Sequence, residues 1–405
     1  MNNPFVCRVF QGVMKLGNYF LGYHTPEVMS GAGCVRDLPR LVREKGVNNV
    51  LLVTDNTLLK LGVPSSLIGA MDDAGLSYTI FSDVWPNPTD ENIESGLALY
   101  KQHGCQGIIA IGGGSPMDCA KGIAARLAQP KKSVAQLQGV IKVHHKIVPL
   151  WAVPTTSGTG SETTVAAVIT IVETRHKASI NDPCILPKYA VLDPELTLGV
   201  PKGTTATTGM DALCHAIEAY TNHTYNTREE NWRARQAVKL IHDWIYPAYL
   251  DGSNLEAREN MQLAAFHAGR AFTRGCVGYV HAVGHTLGGL YGVPHGLAMS
   301  VILPHVLRQF GPKVYPRLAD LADECGIGGY GCAQKAENLI RWIEETNEKM
   351  GIPKGFDCIL DSDIPQIIAW ADAEANPLYP VPVIWKEEDF RKLIAAIRLP
   401  SPQMQ

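Results

Sequence analysis

Residues 108–128 read IIAIGGGSPMDCAKGIAARLA. An unbroken apolar run ends on three glycines, and the residues that follow suit a helix, so the stretch reads as buried strand, tight turn, helix. Ser115 suits the cap of that helix, Pro116 its first position and Asp118 its first turn. A helix N-terminus approached by side-chain-free backbone can hold a pyrophosphate on its amides. The same residues also make an ordinary strand-to-helix turn, and their spacing is not the GxGxxG of the common dinucleotide fingerprint.

Outward from this stretch the pattern repeats. NNVLLVTD (48–55), LSYTIFSDV (76–84), IVPLWAVPT (147–155) and AAVITIV (166–172) are short strand candidates, the first ones separated by helix-like segments. Near-continuous apolar strands alternating with helices imply parallel βαβ units covered on both faces. After residue 203 helical periodicity takes over, as in ENWRARQAVKLIHDWIYPAYL and CAQKAENLIRWIEETNEKMGIP. The expected fold is an α/β N-terminal dinucleotide-binding domain with a parallel, Rossmann-like sheet over 1–197, and an all-α C-terminal domain over 198–405.

The whole chain agrees with two domains, because 405 residues exceed what one core usually supports. A formal net charge of -3 offers no basic excess for phosphate backbones, which argues against nucleic acid, and no window approaches the apolar length of a membrane span. Ten scattered cysteines without a CxxC pair read as reduced thiols, and the N-terminal twenty residues carry no small-residue cleavage site. A cytoplasmic protein is the expectation.

Several residue types point to chemistry. Asp55 ends the strand VLLVTD, where a carboxylate can bond a ribose 2′-hydroxyl or simply cap the next helix. PTTSGTGSETT (154–164) either lines a nucleotide with short donors or is a plain loop. In GMDALCHAIEAY (209–220), Asp211 and His215 are four apart and share a helical face. GYVHAVGHTLGGLYGVPHG (278–296) adds His281 and His285, again four apart, and His295 after a proline. One carboxylate with several imidazoles suits a divalent first-row metal such as iron or zinc. Spacing alone leaves open which of the three later histidines would bind it.

Taken together, GGGSPMDCAK, PTTSGTGSE, GMDALCHAIEAY and GYVHAVGHTLGGLYGVPHG resemble the iron-dependent (group III) alcohol dehydrogenase family in order and separation. PNPT (86–89), NDP (181–183) and LDPELT (192–197) extend the resemblance over nearly all the chain beyond its first 25 or so residues. It implies a metal, Fe2+ or another divalent ion such as Zn2+, on Asp211, His215, His281 and His295. It implies NAD on Asp55, Asn87, Gly113, Gly114, Ser115, Thr155, Thr156, Thr159 and Lys177, with the active site in the cleft between the domains. His285 is left outside the metal and becomes the candidate to relay the substrate's hydroxyl proton, the competing reading being an orienting residue that only packs against the nicotinamide. Gly288, Gly289 and Gly292 then read as the turn that returns His295 to the metal.

The implied reaction moves a hydride between NAD(H) and a short primary alcohol or aldehyde, the metal acting as Lewis acid on the substrate oxygen. A diol or polyol oxidoreductase is the nearest alternative, and metal-dependent hydrolase or lyase chemistry a more distant one. A small-molecule alcohol or aldehyde is the expected partner, with a homodimer or higher homo-oligomer as the assembly. Arg274 and Gly275 stand where relatives carry Asn-Ala, and His267 and Arg270 replace residues usually apolar, which bears on substrate range. The N-terminal extension has no counterpart in the resemblance.

Overall fold

The computed structural model describes residues 3–173 and 176–400. Two compact units emerge, one of Gly22–Val200 with Ser253–Gln262, the other of the residues up to Leu21 with Pro201–Gly252 and Leu263 onward. The main division falls at Val200/Pro201, while the first twenty-one residues and 253–262 group across it.

The first unit is built on β1 (Glu27–Ser30), β2 (Asn49–Val53), β3 (Ser77–Phe81), β4 (Gly107–Gly112), β5 (Gly139–Val140), β6 (Leu150–Pro154), β7 (Ala166–Ile171), β8 (His176–Asn181) and β9 (Tyr189–Leu192). Six of them form a sheet in the order β1-β9-β6-β4-β2-β3, parallel at every pairing, with Val50 opposite Gly107 and Ile108 opposite Leu150. Alternation explains why the strands read as unbroken apolar runs. Leu51, Val53, Ile108 and Ala110 pack on one face of the sheet with Ile93, Ala120 and Ile123. Val50, Leu52, Ile109 and Ile111 pack on the other with Leu38, Leu67 and Met71.

β2 and β4 are neighbours although β3 lies between them in sequence, so the chain reverses its direction across the sheet there. In open α/β sheets ligands bind outside the carboxyl ends of strands at such a reversal. The pair β7/β8 is antiparallel and joins β5 in a separate three-stranded sheet. β1, β5, β8 and β9 were not among the strand candidates: EVMS and HKASIN lack an apolar run, and GV and YAVL are only two and four residues long.

The second unit is helical among the described residues, apart from one isolated bridge between Phe356 and Arg398. Its central helix, Lys202–Asn222, is buried on every side from Gly209 to Asn222. Helices Tyr279–Tyr291 and His295–Phe310 supply Val280, Val283, Ile302 and Leu303 to the fully buried core of the unit. Pro4–Phe20 is also a helix, an element the sequence reading did not place. No described helix is long and apolar enough to cross a membrane.

Candidate metal centre and cofactor cradle

A carboxylate inside a helix buried all round needs a partner, and Asp211 finds three imidazoles. Asp211 and His215 stand one turn apart on the central helix, with Asp211 Oδ1 3.9 Å from His215 Nε2. His281 lies in the first turn of Tyr279–Tyr291 and brings its Nε2 to 3.8 Å from the same oxygen. His295 opens the next helix and brings its Nε2 to 3.3 Å.

Two details of backbone place His295. Gly292 ends the preceding helix in the left-handed region, φ 68°, where glycine is unstrained. Gly288 and Gly289 were expected in that turn but lie within the helix, whose i to i+4 bonding persists to Gly292 N–H on Gly288 O. Gly296 lets the His295 helix approach the central one, since a Cβ there would stand 2.5 Å from Thr207 O.

One ligand atom from each of Asp211, His215, His281 and His295 lies within 4.8 Å of the other three. Four ligands about 2.1 Å from a tetrahedral ion stand about 3.4 Å apart, close to these separations. Asp211 Oδ1 and His281 Nε2 are buried without a hydrogen-bond partner. Burial would raise the Asp211 carboxyl, but His215, His295 and His281 outweigh it and hold it well below the usual range. Burial pushes His215 down to about 3, against the pull of Asp211, and His281 well below its ordinary value. One ionised carboxylate and neutral imidazoles are the protonation states a metal requires. The residues therefore fit a divalent ion.

Glu218, which the sequence reading passed over, organises the cluster. Its Oε2 accepts from Gly278 N–H at 2.9 Å and pairs with His281 Nδ1 at 2.6 Å, while Oε1 accepts from Val280 N–H at 2.8 Å. One carboxylate thus holds the N-terminus of the His281 helix and directs the His281 Nε2 inward. A signal was present: Glu218 is seven residues beyond Asp211, on the face shared with His215. His215 lacks such a support. Its Nδ1 has no partner, and the ring is stacked on Phe272, centroids 4.1 Å apart. Cys214, Glu218 and His281 form a second possible donor set, but burial and the nearby Glu218 keep the Cys214 thiol protonated, a poor ligand.

His285 is not one of the four converging residues. It stacks on His295, centroids 5.1 Å apart, and its Nδ1 is 2.7 Å from Glu374 Oε1, which also accepts from Tyr379 Oη at 3.1 Å. Glu374 too was missed, because it follows His285 by 89 residues. Of the unusual residues, His267 Nδ1 is paired with Arg233 Nη1 at 3.2 Å and Arg274 Nη2 donates to Asn18 O at 2.7 Å. Arg270 is buried beside them on the same helix.

The nucleotide candidates lie in the first unit, most of them just beyond the carboxyl ends of β2, β4 and β6. The helix after β4 spans Gly114–Ala128 with Gly113 at its cap, so Ser115 is inside the first turn and not its cap. The Ser115 hydroxyl instead accepts from Asn87 N–H at 3.3 Å, and Asn87 adopts φ 58°. Asp118 falls beyond the first turn and ties the helix to the β7 hairpin, accepting from Ser161 Oγ and Val168 N–H. A Cβ on Gly114 would meet Thr159 Cγ2 at 3.1 Å and one on Gly113 would meet Thr156 Oγ1 at 3.5 Å, so bare backbone faces these threonines. Such a cradle of small groups fits a pyrophosphate.

Asp55 caps the helix after β2, its Oδ1 accepting from Thr57 and Leu58 N–H. Thr155 is buried and its N–H donates to Gly112 O at 3.0 Å. Part of the run 154–164 is structural: buried Lys121 donates to Ser161 Oγ, Thr164 Oγ1 and Ala166 O. Lys177 is on β8, and its side chain is outside the described part of the structure.

A parallel sheet of the nucleotide-binding type and a largely buried Asp-His₃ cluster that fits a divalent ion are the arrangement of a metal- and nucleotide-using protein. Comparison with known proteins narrows this. The profile of the iron-containing alcohol dehydrogenases matches residues 25–194, and that of the family's C-terminal region matches 205–397. The chain is 37% identical over 341 residues to the NAD-dependent methanol dehydrogenase of Bacillus methanolicus, covering 84% of this chain and 88% of that one. It is 39% identical over 338 residues to the 1,3-propanediol dehydrogenase of Klebsiella pneumoniae, covering 82% and 87%. A crystal structure of a 1,3-propanediol oxidoreductase superposes with a TM-score of 0.88 at 35% identity, covering 93% and 99%. The chain belongs to the iron-containing alcohol dehydrogenase family.

Proposed function

We propose that this chain is an NAD-dependent dehydrogenase or reductase of short primary alcohols and aldehydes, working in the cytoplasm with Fe2+ as its native metal. The observation that carries the reading is the convergence of Asp211, His215, His281 and His295 on one point, with Asp211 Oδ1 and His281 Nε2 buried and unpaired. The ten cysteines are all free, in keeping with a reducing compartment.

When bound, the metal supplies Lewis acidity to the substrate oxygen and NAD supplies the hydride acceptor. The residues present do the rest. Asp211 would contribute the anionic ligand, and His215, His281 and His295 the neutral ones. Glu218 fixes the ring of His281. His285, with Nδ1 engaged by Glu374, has Nε2 left to exchange the hydroxyl proton, and Glu374 orients the ring. Gly113, Gly114, Ser115, Thr155, Thr156 and Thr159, with Asn87 and Lys177, are the groups proposed to hold the cofactor. The cap bonds of Asp55 both fall on Oδ1, so Oδ2 is the oxygen proposed to meet the ribose 2′-hydroxyl and to disfavour a 2′-phosphate.

A diol substrate is the second reading, favoured by the likeness to two proteins named for 1,3-propanediol. Metal analysis of anaerobically purified protein, then turnover of ethanol, butanol, 1,2-propanediol, 1,3-propanediol and glycerol with NAD and NADP, tests both. We expect about one metal per chain and turnover of a monohydric alcohol with NAD. Glycerol or a propanediol as best substrate moves the assignment to the diol reading, and metal-dependent hydrolysis without nicotinamide overturns both.

A further inference from the structure

The N-terminal helix is docked inside out. Phe5, Val9, Val13, Leu16 and Phe20 recur at helical spacing and are 74%, 53%, 67%, 66% and 77% exposed. The opposite face carries Cys7, Gln11 and Asn18, which are buried. That polar face holds the helix to its own unit: Gln11 Nε2 donates to Pro377 O and Tyr379 O, Arg8 Nη2 to Pro382 O, and Arg274 Nη2 to Asn18 O. An amphipathic helix ordinarily buries its apolar stripe. Here directed hydrogen bonds fix the polar stripe and present the apolar one outward.

We propose that this apolar face is the surface through which a second copy of the chain docks, helix against helix. Counting roughly 150–200 Å² per large apolar side chain, the exposed parts of these five together with those of Val6, Phe10 and Tyr19 on the same helix amount to on the order of 900 Å². That exceeds the roughly 300–600 Å² of the largest apolar patch on a typical monomer and matches the ~800 Å² each partner gives to a standard interface. Charge argues for the same partner. The helix has no acidic residue and two cations, Arg8 and Lys15. Arg8 is engaged by Gln11 Oε1 and Pro382 O, so Lys15 alone remains to meet anionic headgroups, too little for binding to a charged membrane surface. An apolar stripe without fixed charge is complementary to itself, as a two-fold interface requires.

The test is the mass of the full-length chain by sedimentation across a dilution series, for wild type and for Val13→Lys/Leu16→Lys. Docking predicts that the double variant has half the mass of wild type while its circular dichroism and alcohol turnover are retained. Equal masses overturn the proposal, as does a wild type that is monomeric throughout. Flotation with phosphatidylcholine/phosphatidylglycerol vesicles is run alongside; wild-type flotation abolished by the two lysines overturns it in favour of lipid. If the double variant fails to fold, Val13→Lys alone gives the same reading.

Discussion

At the scale of single residues, the proposed metal centre divides into groups that would bind the ion and groups that would position them. On the proposed ligand set, removing the His281 imidazole takes one of four donors from a buried site, so His281→Ala is expected to lose metal and turnover together, checked by metal content after gel filtration. His285 has no ligand atom in the converging set, so His285→Ala should keep metal within a few-fold and lose about 10²–10⁴ in turnover, the range of a general acid–base contribution. A metal-free His285→Ala protein would refute that division. Glu218 acts through His281 and the helix that bears it. Glu218→Gln is expected to weaken metal binding about 10–100-fold, as measured by competition with a chelator. His215, Asp211 and the His281/His285 pair were legible in the sequence because i,i+4 spacing is local. Glu374 was not, since nothing local ties it to His285.

At the scale of elements, what matters is how closely helices and loops approach. A methyl group on Gly296 would collide with the Thr207 carbonyl of the central helix, so Gly296→Ala should push the His295 helix away from Asp211. We expect a loss of about 1–3 kcal/mol in urea unfolding together with weaker metal retention. In the first unit, the loop 154–164 is held by Lys121 and buries Glu162. Burial lifts Glu162 from its ordinary 4.5 to about 7, with its own backbone N–H and Lys121 pulling the other way. The folded protein therefore holds a proton that the unfolded chain has already released between those values. Its contribution is present below the unfolded value and lost as pH rises through about 7. Glu162→Gln cannot ionise, so its stability relative to wild type should improve by about 2–3 kcal/mol between about pH 5 and pH 8. An unchanged difference across that range would show that Glu162 is not protonated in the folded state.

At the scale of the whole molecule, the metal cluster belongs to one compact unit and the glycine cradle to the other. Chelation should lower the melting temperature, because an ion that binds only the folded state stabilises it by mass action. NADH binding by the chelated protein, followed by fluorescence, should stay within a few-fold of the metal-loaded value, since none of the cradle's described contacts includes a metal ligand. Loss of NADH binding on chelation would show that the cradle depends on the metal.

The sequence by itself determined the central strands, the longer helices and much of the chemistry. Apolar runs of strand length separated by helices sufficed for a parallel sheet covered on both faces, and the spacing within GMDALCHAIEAY and GYVHAVGHTLGGLYGVPHG sufficed to put candidate ligands on shared helical faces. Only the tertiary structure decided which faces meet. Asp211 and His295 are brought to 3.3 Å by the crossing of two helices, Glu218 reaches His281 across 63 residues, and Ser115 turns to Asn87 instead of capping its own helix. It also turned the N-terminal helix polar side inward, against the ordinary expectation for an amphipathic sequence. The physical reason is the same in each case: periodicity fixes which side chains share a face, whereas the partner of that face depends on packing between segments remote in the chain.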